Sequence, residues 1–118
     1  MPWTVRNHDD FDPEFDALPV EVQDELLAMT ALLEIYGPGL GRPHADTLAG
    51  AAHANMKELR FKAADGVWRV AFAFDPERQA ILLVAGDKVG VAQKRFYKGL
   101  IAKADLRFAG HLKALKET

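Results

Sequence analysis

The sequence predicts an α+β domain built on a small, mostly antiparallel sheet. Three observations carry this. Residues 55–75 (NMKELRFKAADGVWRVAFAFD) alternate apolar and polar side chains on both sides of a short turn signal, the pattern of a β-hairpin with one buried face. Residues 80–85 (AILLVA) are apolar without interruption, as in a central strand buried on both faces. Two long stretches, from Pro19 and from Ala92, repeat apolar residues at helical spacing.

In chain order, residues 3–8 (WTVRNH) read as a short strand, with Trp3 and Val5 on one face and Arg6 and His8 on the other. Phe11 and Phe15, four apart in an acidic stretch, suggest a short helical turn or loop that buries two rings. Pro19 opens the first long helix, because proline suits the first turn and Glu21, Asp24 and Glu25 complement the positive end of its dipole. Val22, Leu26, Met29, Leu33 and Tyr36 form its core stripe, and Gly37 caps it before Pro38. Residues 37–55 are punctuated by glycine and proline and read as a long loop, with at most a short turn over 45–48. His44, Asp46 and His53 lie in that loop; their spacing matches no metal motif, so no metal or other cofactor is expected. His44 or His53 beside a substrate groove is the alternative.

In the hairpin, Leu59 and Phe61 alternate with Glu58, Arg60 and Lys62, and Trp68, Val70, Phe72 and Phe74 alternate with Arg69, Ala71 and Ala73. Asp65-Gly66 is expected to supply the positive φ of the tight turn. Pairing the apolar sets on one face forces Arg60 and Arg69 onto the other. Two guanidiniums on one open sheet face suit an anionic ligand, since each carries a rigid fork of donors. The plainer alternative is a pair of solvated arginines balanced by Glu58 or other acids. After a turn at Pro76 and Glu77 comes the apolar strand, which Gly86-Asp87-Lys88 ends, placing Lys88 near the same end of the sheet. The last helix carries Phe96, Leu100, Ala104, Phe108, Leu112 and Leu115 as its stripe. Gly99 and Gly110 weaken it, and a break near Ala104-Asp105 is open. Arg95, Tyr97 and Lys98 flank the stripe near its start, where a tyrosine is suited to stack a base or move a proton.

The 118 residues suit a single domain over 1–118, without repeats or linkers. The absence of cysteine excludes disulfides and thiolate chemistry. No apolar run approaches the roughly 20 residues of a membrane span. The N-terminus lacks a signal pattern, so a cytoplasmic protein with no membrane partner is expected. The formal net charge of -2 hides an asymmetry: residues 1–55 carry a net of -8 and residues 56–118 a net of +6, which directs the search for an anion site to the second half.

The runs NMKELRF, VWRVAFAFDPERQAILLVAGDK and KRFYKGLIAKADLRFAGHL, with RPHADTLAG ahead of them, resemble the phage-derived, HigB-like branch of the RelE/ParE toxin superfamily. The resemblance spans residues 3–115. It implies a RelE-like fold: a twisted, mostly antiparallel sheet with N-terminal helices packed on it and a C-terminal helix. It also implies a type II toxin of a toxin-antitoxin system, an mRNA interferase that acts at the ribosome, inhibits translation and needs no metal. Such endoribonucleases turn the RNA's own 2′-hydroxyl on the adjacent phosphate, which calls for a base, cationic donors for the growing charge and an acid for the leaving oxygen. The implied partners are a helix-turn-helix, HigA-like antitoxin, the ribosome and mRNA, with the toxin a monomer paired with its antitoxin.

Carried onto this chain, the resemblance assigns Arg60 and Arg69 to the phosphate, and Lys57, Lys88 or Tyr97 to proton transfer or base stacking. Lys62, Arg95, Lys98 and His53 are the further RNA-contacting candidates. Strict alternation places Lys57 on the face of Leu59, away from Arg60, so it reaches the site only at a sheet edge or bulge. Several relatives use histidine or aspartate near the C-terminus, whereas Arg95-Phe96-Tyr97-Lys98 has neither and His111 falls on a late helix turn. Two other functions share the fold: a ParE-like poison of DNA gyrase, and a non-catalytic module that only binds its antitoxin. The basic hairpin face and Tyr97 favour RNA cleavage.

Overall fold

The order of the strands in space puts the hairpin in the middle of the molecule. A computed structural model describes residues 2–117. Its elements are β1 (Thr4–Asn7), α1 (Phe11–Asp16), α2 (Val20–Tyr36), a single 3-10 turn (Gly37–Gly39), β2 (Ala45–Thr47), β3 (Met56–Ala63), β4 (Gly66–Phe74), β5 (Gln79–Asp87) and α3 (Gln93–Lys116). The five strands form one sheet in the order β1-β5-β4-β3-β2. β1 runs parallel to β5, and every other neighbouring pair is antiparallel.

Alternation divides the core into two layers. On one face, Leu59, Phe61, Val70, Phe72 and Leu82 receive Phe11 of α1 and Val22, Leu26, Met29 and Leu33 of α2. On the other, Met56, Ala71, Ala73, Ile81 and Leu83 receive Leu100, Ala104 and Phe108 of α3. Each fully buried large side chain contributes about 1.5–3 kcal/mol, so both helical layers are anchored by the same strands. β5 serves both layers, which is why its sequence shows no polar alternation. A bulge interrupts its ladder with β4: Ala71 pairs with Val84 and Phe72 with Leu82, leaving Leu83 as the extra residue.

Several expectations need correction. Residues 37–55 are not one loop, because β2 lies inside them and pairs with β3 as an edge strand. Three residues are too few to show a period, and glycine and proline around them mask the signal. Tyr36 is 58 % exposed rather than part of the α2 stripe. The last helix runs without a break over 24 residues, because Ala104 packs tightly against the sheet. The hairpin turn spans Ala63-Ala64-Asp65-Gly66, with Ala63 opposite Gly66, as the sequence places it, but the positive φ falls on Ala64 (49°) and Asp65 (60°) rather than on Asp65 and Gly66. Gly66 is needed for space instead: a Cβ there would lie 2.6 Å from Trp68 Nε1 and 2.8 Å from Asp87 Oδ2.

Candidate functional site

The α3 face of the hairpin changes character along its length. Toward Met56 it is apolar and covered by α3. Toward the turn it carries Glu58, Arg60 and Arg69, and only the first turns of α3 reach it. Arg60 and Arg69 are direct partners in the β3–β4 ladder. Two like charges directly opposite repel. Glu58 answers this: its Oε2 accepts from Arg60 Nε (3.2 Å) and Nη2 (3.1 Å), and its Oε1 lies 3.8 Å from Arg69 Nε. Glu58 is 2 % exposed, a buried carboxylate that its cationic neighbours keep paired.

Tyr97 completes the cluster from α3. Its hydroxyl donates to Glu58 Oε1 at 2.9 Å and accepts from Arg69 Nε at 3.2 Å. It arrives there because α3 seats closely on β5: Gly86 is the ladder partner of Arg69, and a Cβ on Gly86 would lie 2.8 Å from the Phe96 ring. Burial and the bond to Glu58 push the Tyr97 hydroxyl above the ordinary phenol range, with Arg69 opposing. Lys88 holds its ammonium 5.5 Å from the centre of the Tyr97 ring, within cation–π reach. Burial, then the charges of Arg69 and Arg60, lower the Lys88 pKa, with Glu58 opposing. For Arg60, burial works against the charge, but the bond and the charge of Glu58 outweigh it and raise the pKa.

These groups line an open groove of about 1140 Å³ between the hairpin, β2 and the start of α3. Arg42, Arg60, Arg69, Lys88, Lys94 and Lys98 give it six cations against the two carboxylates of Asp46 and Glu58. Arg69 spends one further donor on the Trp68 carbonyl (2.9 Å). Each guanidinium has five N–H groups, so both arginines keep donors for a ligand. A surplus of oriented cations in a concave, partly desolvated site favours a polyanion.

Of the residues singled out from sequence, Arg60, Arg69, Lys88, Tyr97 and Lys98 meet at this groove. Lys57 does not: its ammonium donates to the Pro38 carbonyl at 3.4 Å, on the opposite sheet face, as alternation indicated. Lys62 and Arg95 are exposed and outside the groove lining. His53 packs edge-on against Phe108, with ring centres 5.0 Å apart, in a separate cavity of about 350 Å³. Among the described residues no three His, Asp or Glu side chains converge as metal ligands. Sequence reasoning missed Glu58, Asp46, Arg42, Gln93 and Lys94 as groove residues. The available signals were an acid two residues from Arg60 on its own face, and the opposite charges of Arg42 and Asp46 four apart.

Comparison with known proteins gives the family and the fold. The family described as "Phage derived protein Gp49-like" matches residues 13–109. Two Mycobacterium tuberculosis proteins named as toxins are similar: HigB2, 42% identical over 104 residues and 87% of this chain, and HigB3, 46% identical over 93 residues and 79% of this chain. The chain spans 51% of the length of HigB2 and 79% of HigB3. Among solved structures, an Escherichia coli RelE toxin mutant in the free state superposes with a TM-score of 0.61. The match covers 87% of this chain and 97% of that one at 12% identity, so the fold is RelE-like.

Proposed function

This chain belongs to the Gp49-like family of phage-derived proteins, with HigB2 and HigB3 among its relatives and a RelE-like fold, and from this we propose that it is a type II toxin of the HigB-like branch of the RelE superfamily that cleaves mRNA at the ribosome. The observation that carries the reading is the ladder pair Arg60–Arg69 with Tyr97 and Glu58 set against it, at the floor of a cationic groove.

In this mechanism the scissile phosphate sits on the free donors of Arg60 and Arg69. They hold it and take up the charge that grows as the 2′-oxygen bonds to phosphorus. The 2′-hydroxyl proton passes to the Tyr97 oxygen while Tyr97 passes its own proton to Glu58, so the buried carboxylate is the final acceptor. The raised pKa of Tyr97 keeps it protonated and ready for that exchange. Breaking the bond from phosphorus to the 5′-oxygen needs a proton on the leaving oxygen, and the Lys88 ammonium, made a stronger acid by burial and its cationic neighbours, supplies it. The products are a 2′,3′-cyclic phosphate and a 5′-hydroxyl.

The proposed partner is a helix-turn-helix antitoxin, a suggestion supported by the toxin names of the two relatives. The test is single-turnover cleavage of a defined mRNA on programmed ribosomes. Tyr97→Phe should slow cleavage by about 10²-fold or more while leaving mRNA binding intact. A rate equal to wild type contradicts the proton relay. No cleavage by wild type, together with loss of DNA supercoiling control in cells, favours gyrase as the target.

A further inference from the structure

The groove holds a second pairing of arginine and carboxylate that the mechanism above does not use. Asp46, on the edge strand β2, is the ladder partner of Glu58. Its Oδ2 accepts from Arg42 Nε at 2.8 Å and lies 3.7 Å from Arg60 Nη2. The charges therefore alternate along the groove floor, from Arg42 through Asp46, Arg60 and Glu58 to Arg69.

The two carboxylates in that row are not equivalent. The Glu58 side chain is 3% exposed and enclosed by Arg60 and Tyr97, so a ligand cannot displace it without opening the fold. The Asp46 side chain is 23% exposed and its partner Arg42 is 78% exposed. Ion pairs of this open kind are weak and screened by salt, so an incoming anion exchanges with the carboxylate at little cost. A phosphodiester is the suitable replacement, because it presents two oxygens to a planar guanidinium fork. A single strand carries one charge per nucleotide, so a strand with one phosphate at Arg60 and Arg69 brings its neighbour along the groove.

We propose that Arg42, with the Nη2 edge of Arg60, forms a second phosphate position beside the one at Arg60 and Arg69, and that the Asp46 carboxylate fills it in the free protein and gives way to RNA. This rests on the groove being an RNA site. Asp46 acts as a resident counter-anion: it keeps Arg42 and Arg60 from repelling each other when no strand is bound, and it sets how much the second phosphate gains on binding.

The experiment measures binding of the purified full chain to uncleavable 2′-deoxy-substituted oligonucleotides, a dinucleotide with one phosphate and a trinucleotide with two. Wild type should prefer the trinucleotide. Arg42→Ala should remove that preference, lowering trinucleotide affinity severalfold more than dinucleotide affinity. Asp46→Asn should tighten the trinucleotide by about two- to fivefold, an effect that shrinks as salt rises. Thermal melts of both variants guard against misfolding. If neither substitution moves trinucleotide affinity while Arg69→Ala abolishes all binding, the second position is wrong and the RNA groove stands. If wild type binds neither oligonucleotide at any salt, the groove reading fails and the second position with it.

Discussion

Arg60 and Arg69 face one another directly across the β3–β4 ladder, with one carboxylate, Glu58, set against both guanidiniums. This like-charge pair persists because the buried acid neutralises it. Glu58→Gln should therefore destabilise the fold by roughly 2–3 kcal/mol, read by chemical denaturation. Adding Arg69→Met to that variant should restore part of the loss. Simple addition of the two single effects contradicts the coupling.

The proton donor assigned to Lys88 makes a prediction about pH. An ammonium donates only below its pKa, and burial with Arg69 and Arg60 lowers that of Lys88. Cleavage should fall on the alkaline side at a lower pH than an ordinary lysine would give. Lys88→Ala should be slower throughout and lose that alkaline limb, whereas Lys57→Ala, altering a side chain on the far sheet face, should match wild type in both rate and profile.

Far from the groove, Asp75 ties α3 to the β4–β5 turn. His111 Nε2 lies 2.8 Å from its Oδ2, and Gln79 Nε2 donates to the same oxygen at 3.0 Å. The Glu77 and Gln79 amides donate to Oδ1 at 2.9 Å each. Burial alone would raise the Asp75 pKa, but the bonds from His111, Gln79 and Glu77 outweigh it and hold it below the ordinary value. A depressed native pKa gives stability that is complete above the unfolded aspartate value of about 3.9 and is lost as pH falls through the native value. His111→Ala should lower stability near neutral pH and move the acid unfolding midpoint upward. An acid midpoint unchanged by the substitution contradicts the assignment.

Close approach governs the turn end of the hairpin. Gly66→Ala places a methyl group against Trp68 and Asp87, and should cost about 1–3 kcal/mol in thermal or denaturant unfolding. Gly99→Ala is the control, since a Cβ there meets nothing within 4 Å; it should be neutral or stabilising.

The ease of reading this chain followed how far each signal travels in sequence. The hairpin and both long helices show their periods, and the central strand its unbroken apolar run, within a few residues, so they were legible. The placing of Arg60 and Arg69 on one face followed from period two alone; Lys57 was kept as a candidate against the same alternation, and the structure removes it to the far face. Glu58 and Asp46 were not legible as site groups, because their roles depend on β2 pairing with β3 and on α3 delivering Tyr97 from 39 positions away. The sequence leaves a break in α3 open because glycine weakens a helix locally, while Leu100, Ala104 and Phe108 hold it from the sheet. His53 was expected at RNA on its residue type; its ring instead fills space beside Phe108.

The central claim is that the arginine pair on the hairpin cleaves mRNA. Primer extension on cellular mRNA after induction tests it most directly. Wild type should produce cuts inside codons of translated messages, and Arg69→Ala should abolish those cuts and the growth arrest while the protein still folds and still binds the proposed antitoxin. Growth arrest by wild type with every message intact, or cuts that persist in Arg69→Ala, would contradict it.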